Sequence, residues 1–473
     1  MILHGLQVDK FMPTARINFI DLNPANVSLM ADQGFNLARV SLSYAGVEPT
    51  PGHYDNTYID SYRAFDQQLA AAGIYDLADM QQGQFSIALA GNGFPDWMAK
   101  TDGLPNTMNP FPQGYLVNPA EQRAWDNFYA NSTASDNVGL VDHYAAGVAY
   151  VAARFGDAPA LLGFDFLNEP WPGSPWPTCA SPVGCPPVVG FDQTTLTSFN
   201  HRLVSALRSA DPNHLIFYEP NLLFDYGAAT GVGSTGDANA VFAFHNYCLG
   251  NSPGLTSLDP GGNCGIEEQL VLSNAEAQRQ RTGDGLLMDE WGNNSDPTLI
   301  ARNTQEADQA MVGWSYWALE DCCASTGAVI RDGTKPPTAP GNLNTIALDA
   351  LVRAYPRVIA GTPIGWSYDP GGRRFHLTYR TILPGGRGGS GMVTEVFVPS
   401  LHFGTDYRVT LSGAEVAGGL GTQHLLLRNC PGAGLVDATV STDPTTAVPS
   451  CAEQAAAAQG PGSGSGSLPN TSR

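Results

Sequence analysis

The chain has 473 residues, 43% of them hydrophobic and only 14% charged: enough for one large domain and a smaller one, and too apolar for a largely disordered protein. A formal net charge of −21 excludes a nucleic-acid backbone as the natural partner and favours a neutral substrate over a polyanion.

Strand-like and helix-like segments alternate from the N-terminus to about Pro356. Leu6 to Val8 reads as a first strand, Pro24 to Gln33 as a helix stopped by Gly34, and Phe35 to Ser41 as a strand carrying Arg39. Tyr58 to Ala72 is amphipathic and closed by Gly73; Ile74 to Asp79 is the next strand, running into Met80-Gln81-Gln82. Residues 83 to 137 read as a long irregular stretch rich in Pro, Gly, Asn and aromatics, which inside a compact domain is usually functional. A helix is expected over Leu140 to Phe155. The run Ala160 to Leu167, broken only by Gly163 and Asp165, reads as a strand buried on both faces. It delivers Asn168-Glu169, and Pro170 ends it. A Pro-rich, Cys-bearing loop is expected over 171 to 190.

The alternation continues with a helix over Gln193 to Ala210 and strands over Leu215 to Glu219 and Val241 to His245. Glu267 to Thr282 reads as a helix, and Leu286 to Glu290 as a strand. A helix over Thr298 to Gln309, a strand over Gly313 to Trp317 and a last helix over Leu343 to Tyr355 complete it. Eight strand–helix alternations predict a closed parallel (β/α)8 barrel, in the α/β class. After Pro363 short alternating segments appear (Phe375 to Thr381, Thr394 to Pro399, Tyr407 to Ser412) between Gly-rich turns, the pattern of an antiparallel β-sandwich. The expected division is a barrel over residues 1–361, a sandwich over 362–454 and a disordered Gly/Ser-rich tail over 455–473.

The eight cysteines form no CxxC pair and accompany no His cluster, so a zinc site is not expected. Their even number points to disulfides, an oxidising compartment and a secreted protein; sequence neighbours would pair as Cys179 with Cys185, Cys248 with Cys264 and Cys430 with Cys451. Cys322-Cys323 would remain as a vicinal pair or two thiols. No membrane-spanning run is present, and strand-like residues follow Met1 at once: either a secretion leader has been removed, the preferred reading, or the protein is cytosolic with reduced cysteines.

Two strands end in a glutamate, Asn168-Glu169-Pro170 and Asp289-Glu290-Trp291-Gly292. As the fourth and seventh strands of a barrel, they would set two carboxylates across its mouth. Glycoside hydrolysis needs that arrangement: one carboxyl protonates the leaving oxygen and, in a retaining enzyme, the other attacks the sugar carbon from about 5 Å away. Other strand ends offer supporting groups. Arg39 would orient the nucleophile, Asn168 would bind a sugar 2-hydroxyl, His245 and Tyr247 would hydrogen-bond sugar or carboxylate, and Trp317 would form a platform. Each has an ordinary reading alone: a structural ion pair, a satisfied core histidine, packing, a solvated Glu at a strand exit. Their recurrence at successive strand ends weighs against those readings.

Arg39, Asn168-Glu169-Pro170, His245-Asn246-Tyr247, Glu290 and Trp317 match in order the motif set of glycoside hydrolase family 5. The chain resembles, more narrowly, the endoglycoceramidase branch. Supporting stretches are His4-Gly5-Leu6, Gly34-Phe35-Asn36, Glu48-Pro49-Thr50-Pro51-Gly52, Gly73-Ile74-Tyr75, Asn168 through Gly173 and Ala360-Gly361-Thr362-Pro363. The resemblance implies Glu169 as acid/base, Glu290 as nucleophile, retaining cleavage of the bond between a glycan and ceramide, and no metal or organic cofactor. Where the family commonly has Asp-Met-His-Gln-Asp, this chain has Asp79-Met80-Gln81-Gln82-Gly83. Asp79 and Gln81 are placed with the substrate-binding residues, but Gln81 cannot carry charge and Gly83 has no side chain. The expected partner is a glycolipid or other β-glycoside, met by a monomer with peripheral contact to a membrane or micelle and no nucleic acid. Phe85, Ile87, Leu89, Phe94, Trp97, Met98 and Leu222 to Phe224 would suit a lipid tail or, equally, packing beneath a loop. Simple glycosylceramides, another hydrophobic aglycone, a β-glucan or galactan, and a non-catalytic glycolipid-binding protein are the alternatives. Asp289 is expected to point away from Glu290 along the strand.

Overall fold

A computed structural model describes residues 1–11, 22–181, 183–185, 190–251, 264–321, 327–443 and 448–458. It divides into two compact units, Leu3–Leu351 and Met1–Ile2 with Val352–Arg473.

The first unit is a closed barrel of eight strands in sequence order. They are β1 (His4–Phe11), β2 (Leu37–Leu42), β3 (Tyr75–Asp79), β4 (Leu161–Asp165), β5 (Leu215–Tyr218), β6 (Ala240–Asn246), β7 (Gly285–Trp291) and β8 (Gly313–Tyr316). All neighbours are parallel, and His4 paired with Trp314 closes the ring. Every residue of β2 is buried, as a barrel strand covered on both faces requires. Leu37, Leu77, Phe217, Ala243 and Leu287 fill part of the interior from five different strands.

Helices form where the chain supplies both a cap and an apolar stripe. Asp55 accepts from the backbone N–H groups of Thr57 and Tyr58 to start Asn56–Ala71, and Asp296 accepts from Thr298 N before Pro297–Ala310. Gly34 takes φ +84° just past the helix Pro24–Asp32.

Three local expectations need correction. The stretch 83–137 is not all irregular: Pro119–Tyr129 is a helix capped by Asn118, and its Ala120, Ala124, Trp125 and Phe128 are buried. The last helix is short, Thr345–Leu351, and Tyr355 begins a strand instead. Most residues assigned to a lipid tail are core. Phe85, Leu89, Phe94, Met98 and Phe224 are buried, and Phe85 stacks on Phe94 at 4.6 Å within a cluster that includes Trp125. Ile87 alone of that set is classed as exposed.

The second unit holds two four-stranded antiparallel sheets around one apolar core that includes Trp366, Phe375, Leu377, Tyr379, Val396 and Leu427. Strict alternation of burial in Arg374–Arg380 and Arg408–Ser412 is the sandwich signature. The strand Tyr355–Val358 pairs with Val393–Phe397, so the barrel-like unit ends at Leu351 and not at the expected 361. Residues 455–458, expected in the tail, are helical within Cys451–Ala458; residues beyond 458 lie outside the described ones. The disulfides Cys179–Cys185, Cys248–Cys264 and Cys430–Cys451 are formed as expected; Cys322-Cys323 lies outside the described residues.

Candidate active site

The carboxyl ends of the barrel strands converge on Arg39, which is fully buried. Its NH1 donates to Glu290 Oε2 at 3.0 Å and to Gln7 Oε1 at 3.2 Å. Its NH2 donates to Asp165 Oδ2 (2.9 Å), Asn168 Oδ1 (3.0 Å) and Glu219 Oε1 (2.9 Å), with Asp79 Oδ1 at 3.2 Å. Its Nε lies 3.0 Å from Asp289 Oδ2. So β1, β2, β3, β4 and β7, with the residue after β5, are tied through one guanidinium.

His245, on β6, is the second basic group of the cluster. Its Nδ1 lies 3.0 Å from Glu169 Oε1, and its Nε2 lies 3.3 Å from Glu219 Oε1. Burial alone would lower its pKa. The carboxylates of Glu219, Glu290 and Asp225 and the bond to Glu169 outweigh burial and hold it well above the ordinary histidine range.

Glu290 receives a hydrogen bond from the Tyr247 hydroxyl at 2.8 Å as well as from Arg39. Burial raises its pKa; His245, Arg39 and the Tyr247 hydroxyl pull it back, and the charge of Glu169 pushes it further up. Burial also raises Asp289, to about 7, and Asp9, to about 6. Burial likewise raises Asp79, Glu219 and Asp225, against the pull of Arg39 on the first and of His245 on the other two.

One oxygen of Glu169, one of Glu290 and a ring nitrogen of His245 lie within 4.8 Å of one another; so do Glu219, His245 and Asp289. Among the described residues these are the sets spaced to ligate a metal. Two carboxyls facing a common point at this spacing suit a double displacement, whose carboxyls sit about 5–5.5 Å apart.

The structure thus brings together Arg39, Asp79, Asn168, Glu169, His245, Tyr247 and Glu290. Asn168 spends Oδ1 on Arg39 and one Nδ2 hydrogen on Gln82 O (2.8 Å), leaving the other hydrogen for a ligand. Asp79 is fully buried against Arg39 and Gln7. Gln81 is buried at the exit of β3, and its Oε1 meets no hydrogen-bond donor among the described residues. Trp317 follows β8, is half-buried and donates its N–H to Trp291 O at 2.8 Å.

Asp289 overturns its expectation. The β6–β7 register shifts between Phe244 and His245, so Met288 pairs with Phe244 and Glu290 with His245, leaving Asp289 as an extra residue. A bulge of this kind breaks strict alternation and turns both neighbours inward. Gln7, Asp165, Glu219 and Asp225 escaped the sequence reading as site residues. Asp165 had a signal, a carboxylate inside an otherwise apolar strand. Glu219-Pro220 repeats the Glu169-Pro170 pattern one strand later. Asp225, in a short turn, had none.

A family model described as "Cellulase (glycosyl hydrolase family 5)" matches residues 17–322, and one described as "Glycoside hydrolase family 5 C-terminal domain" matches 353–439. The chain is 28% identical over 439 residues to endoglycoceramidase I of Rhodococcus hoagii, covering 89% of this chain and 81% of that one. Endo-glycoceramidase II from Rhodococcus sp., solved as a lactosyl-enzyme intermediate, superposes with a TM-score of 0.75 at 26% identity, over 94% of this chain and 98% of that one. The same protein in complex with ganglioside GM3 gives 0.76 at 25% identity, over 94% and 97%. With two carboxyls facing one histidine at the mouth of a parallel barrel, the chain belongs to glycosyl hydrolase family 5 and is a glycoside hydrolase.

Proposed function

We propose that this enzyme cleaves the β-glycosidic bond between a glycan and ceramide in glycosphingolipids, with retention. Glu169 is the acid/base and Glu290 the nucleophile. The observation that carries the assignment is the unequal environment of the two carboxyls. Glu290 is bonded by Arg39 and Tyr247, which favour an ionised nucleophile, whereas the Glu169 carboxyl shares a hydrogen bond with the buried acid Asp225 besides its contact with His245. Glu169 gives its proton to the glycosidic oxygen as ceramide leaves, while Glu290 attacks the anomeric carbon to form a glycosyl ester. Glu169 then takes a proton from water, whose oxygen attacks the same carbon and frees Glu290. The second Asn168 N–H is available to the sugar 2-hydroxyl, and Trp317 lies at the rim as a platform.

Gln81 and Gly83 remove the charge and the side chain found there in relatives, so the glycan preference differs from theirs. Ile87, Leu104, Met108, Phe111 and Val117 are exposed apolar residues of the long segment after β3 and suit contact with a micelle or bilayer surface. No described helix is long and apolar enough to cross a membrane. The disulfides fit a secreted protein, and the enzyme acts as a monomer.

Product analysis tests the reading. Lactosylceramide, a ganglioside and glucosylceramide are incubated with the parent, Glu169→Gln and Glu290→Gln, and the products are identified by mass spectrometry. Intact oligosaccharide plus ceramide from the parent alone supports it. Release of glucose alone from glucosylceramide moves the substrate to simple glycosylceramides. Binding without cleavage makes the protein a glycolipid-binding scaffold.

A further inference from the structure

Glu169 adopts φ +44°, a left-handed conformation that is strained for a residue with a side chain. Such a backbone persists only where its surroundings hold it. Besides the backbone bond from Asn168 N to Met80 O, two side chains bond the backbone of Asn168 and Glu169, and neither contacts the Glu169 carboxyl oxygens among the described bonds. Gln82 Nε2 donates to Asn168 O at 2.8 Å and to Glu169 O at 3.0 Å. Glu219 Oε2 accepts from Glu169 N at 2.7 Å. In return, Asn168 Nδ2 donates to Gln82 O.

The amide of Gln82 can sit only one way round. Its Oε1 accepts from Phe85 N (3.1 Å) and from the Tyr115 hydroxyl (3.2 Å), while its NH2 faces the two carbonyls. Tyr115 is itself fixed by accepting from Gln84 N at 2.8 Å. Gly93 packs directly on this residue: a Cβ there would lie 2.4 Å from Gln82 Cβ. Gln82 is about 1% exposed, beyond the reach of a substrate.

We infer that Gln82, oriented by Tyr115, is a positioning residue that aims the Glu169 carboxyl by clamping its strained backbone turn. The inference rests on Glu169 being the acid/base. Losing the clamp lets the turn relax and misdirects the proton donor, but leaves Glu290, Arg39 and Tyr247 in place. The defect must then depend on how much the leaving group needs a proton.

The test compares kcat/KM on the ceramide glycoside that the parent cleaves and on the 2,4-dinitrophenyl glycoside of the same glycan, whose leaving group departs without protonation. Gln82→Glu keeps the acceptor for Phe85 and Tyr115 and removes the two donated bonds. Tyr115→Phe is the milder variant, and Glu169→Gln the reference. The expected result is a fall of about tenfold or more for Gln82→Glu on the ceramide glycoside, with less than about threefold on the dinitrophenyl glycoside. Tyr115→Phe follows in the same direction. Equal losses on both substrates, or no loss, while Glu169→Gln shows the selective defect, would overturn the role of Gln82 alone. If Glu169→Gln itself shows no leaving-group dependence, the acid assignment falls and this inference with it. Should Gln82→Glu fail to give a folded protein by thermal melting, Tyr115→Phe decides by the same ratio.

Discussion

Asp289 and Glu290 are neighbours in the chain, yet both carboxylates reach the same guanidinium, Asp289 at Nε and Glu290 at NH1 of Arg39, each at 3.0 Å. A regular strand would send them to opposite faces. The register shift in β7 turns both inward, so Glu290 shares its cation with a second acid.

Replacing Arg39 with Met therefore strands buried carboxylates. The expected cost is about 3–5 kcal/mol of stability, the range for breaking a buried ion pair from one side. It should be larger at pH 8 than at pH 5, where the carboxyls take up protons. Urea unfolding at both pH values checks this, and an equal loss at both would mean the carboxylates are already neutral in the parent.

Tyr247→Phe removes the hydroxyl bond to Glu290 and leaves the ring. That bond favours the ionised carboxyl, so its loss raises the nucleophile's pKa. The acidic limb of the kcat/KM profile should move to higher pH, with turnover down by about 10- to 100-fold. A pH profile with unmoved limbs would remove Tyr247 from this role.

Glu121 is a buried carboxyl that the mechanism does not use. Burial, opposed by Trp125, raises it from its usual 4.5 to about 8. A pKa raised on folding gives stability that is complete below about pH 4.5 and lost as pH rises through about 8. Glu121→Gln should leave the melting temperature at pH 4 nearly unchanged and raise it relative to the parent at pH 9. Parallel curves for the two proteins would show that Glu121 ionises normally.

The Cys248–Cys264 bridge follows Tyr247 directly and closes a separation of 16 residues. Replacing both cysteines with Ala should cost about 3 kcal/mol through the freed unfolded chain. It should also lower turnover, because the bridge anchors the segment presenting Tyr247. Calorimetry and kinetics on the double variant separate the two effects.

Met108 and Val117 are exposed on the segment after β3. Changing both to Ser should reduce cleavage of glycolipid in vesicles while sparing a soluble aryl glycoside. Equal activity of the double variant and the parent on vesicles would remove these residues from a surface-docking role.

The barrel and both glutamates were legible in the sequence because each strand is a short apolar run whose polar residue falls at the exit. Leu140–Phe155 could be read to its ends because its apolar stripe runs unbroken between Gly139 and Gly156. The helix Pro119–Tyr129 was hidden inside a stretch that reads as loop, since its buried face depends on Phe85 and Phe94 packing from elsewhere. Asp289 was misread because a bulge is set by pairing with the neighbouring strand and not by local pattern. Glu219 and Asp225 needed the ring to close before their proximity to His245 existed at all.

Tyr115 belongs to the long segment after β3, yet its hydroxyl ends on the side chain that bonds the Glu169 turn. That segment and the turn are therefore wired together in this chain. Anyone exchanging the 83–137 segment for that of a relative, to redirect the enzyme to another glycan, would also be exchanging a strut of the Glu169 turn. A graft that keeps Tyr115 and Gln84 and varies only the outer rim is the one that should change selectivity without slowing the reaction.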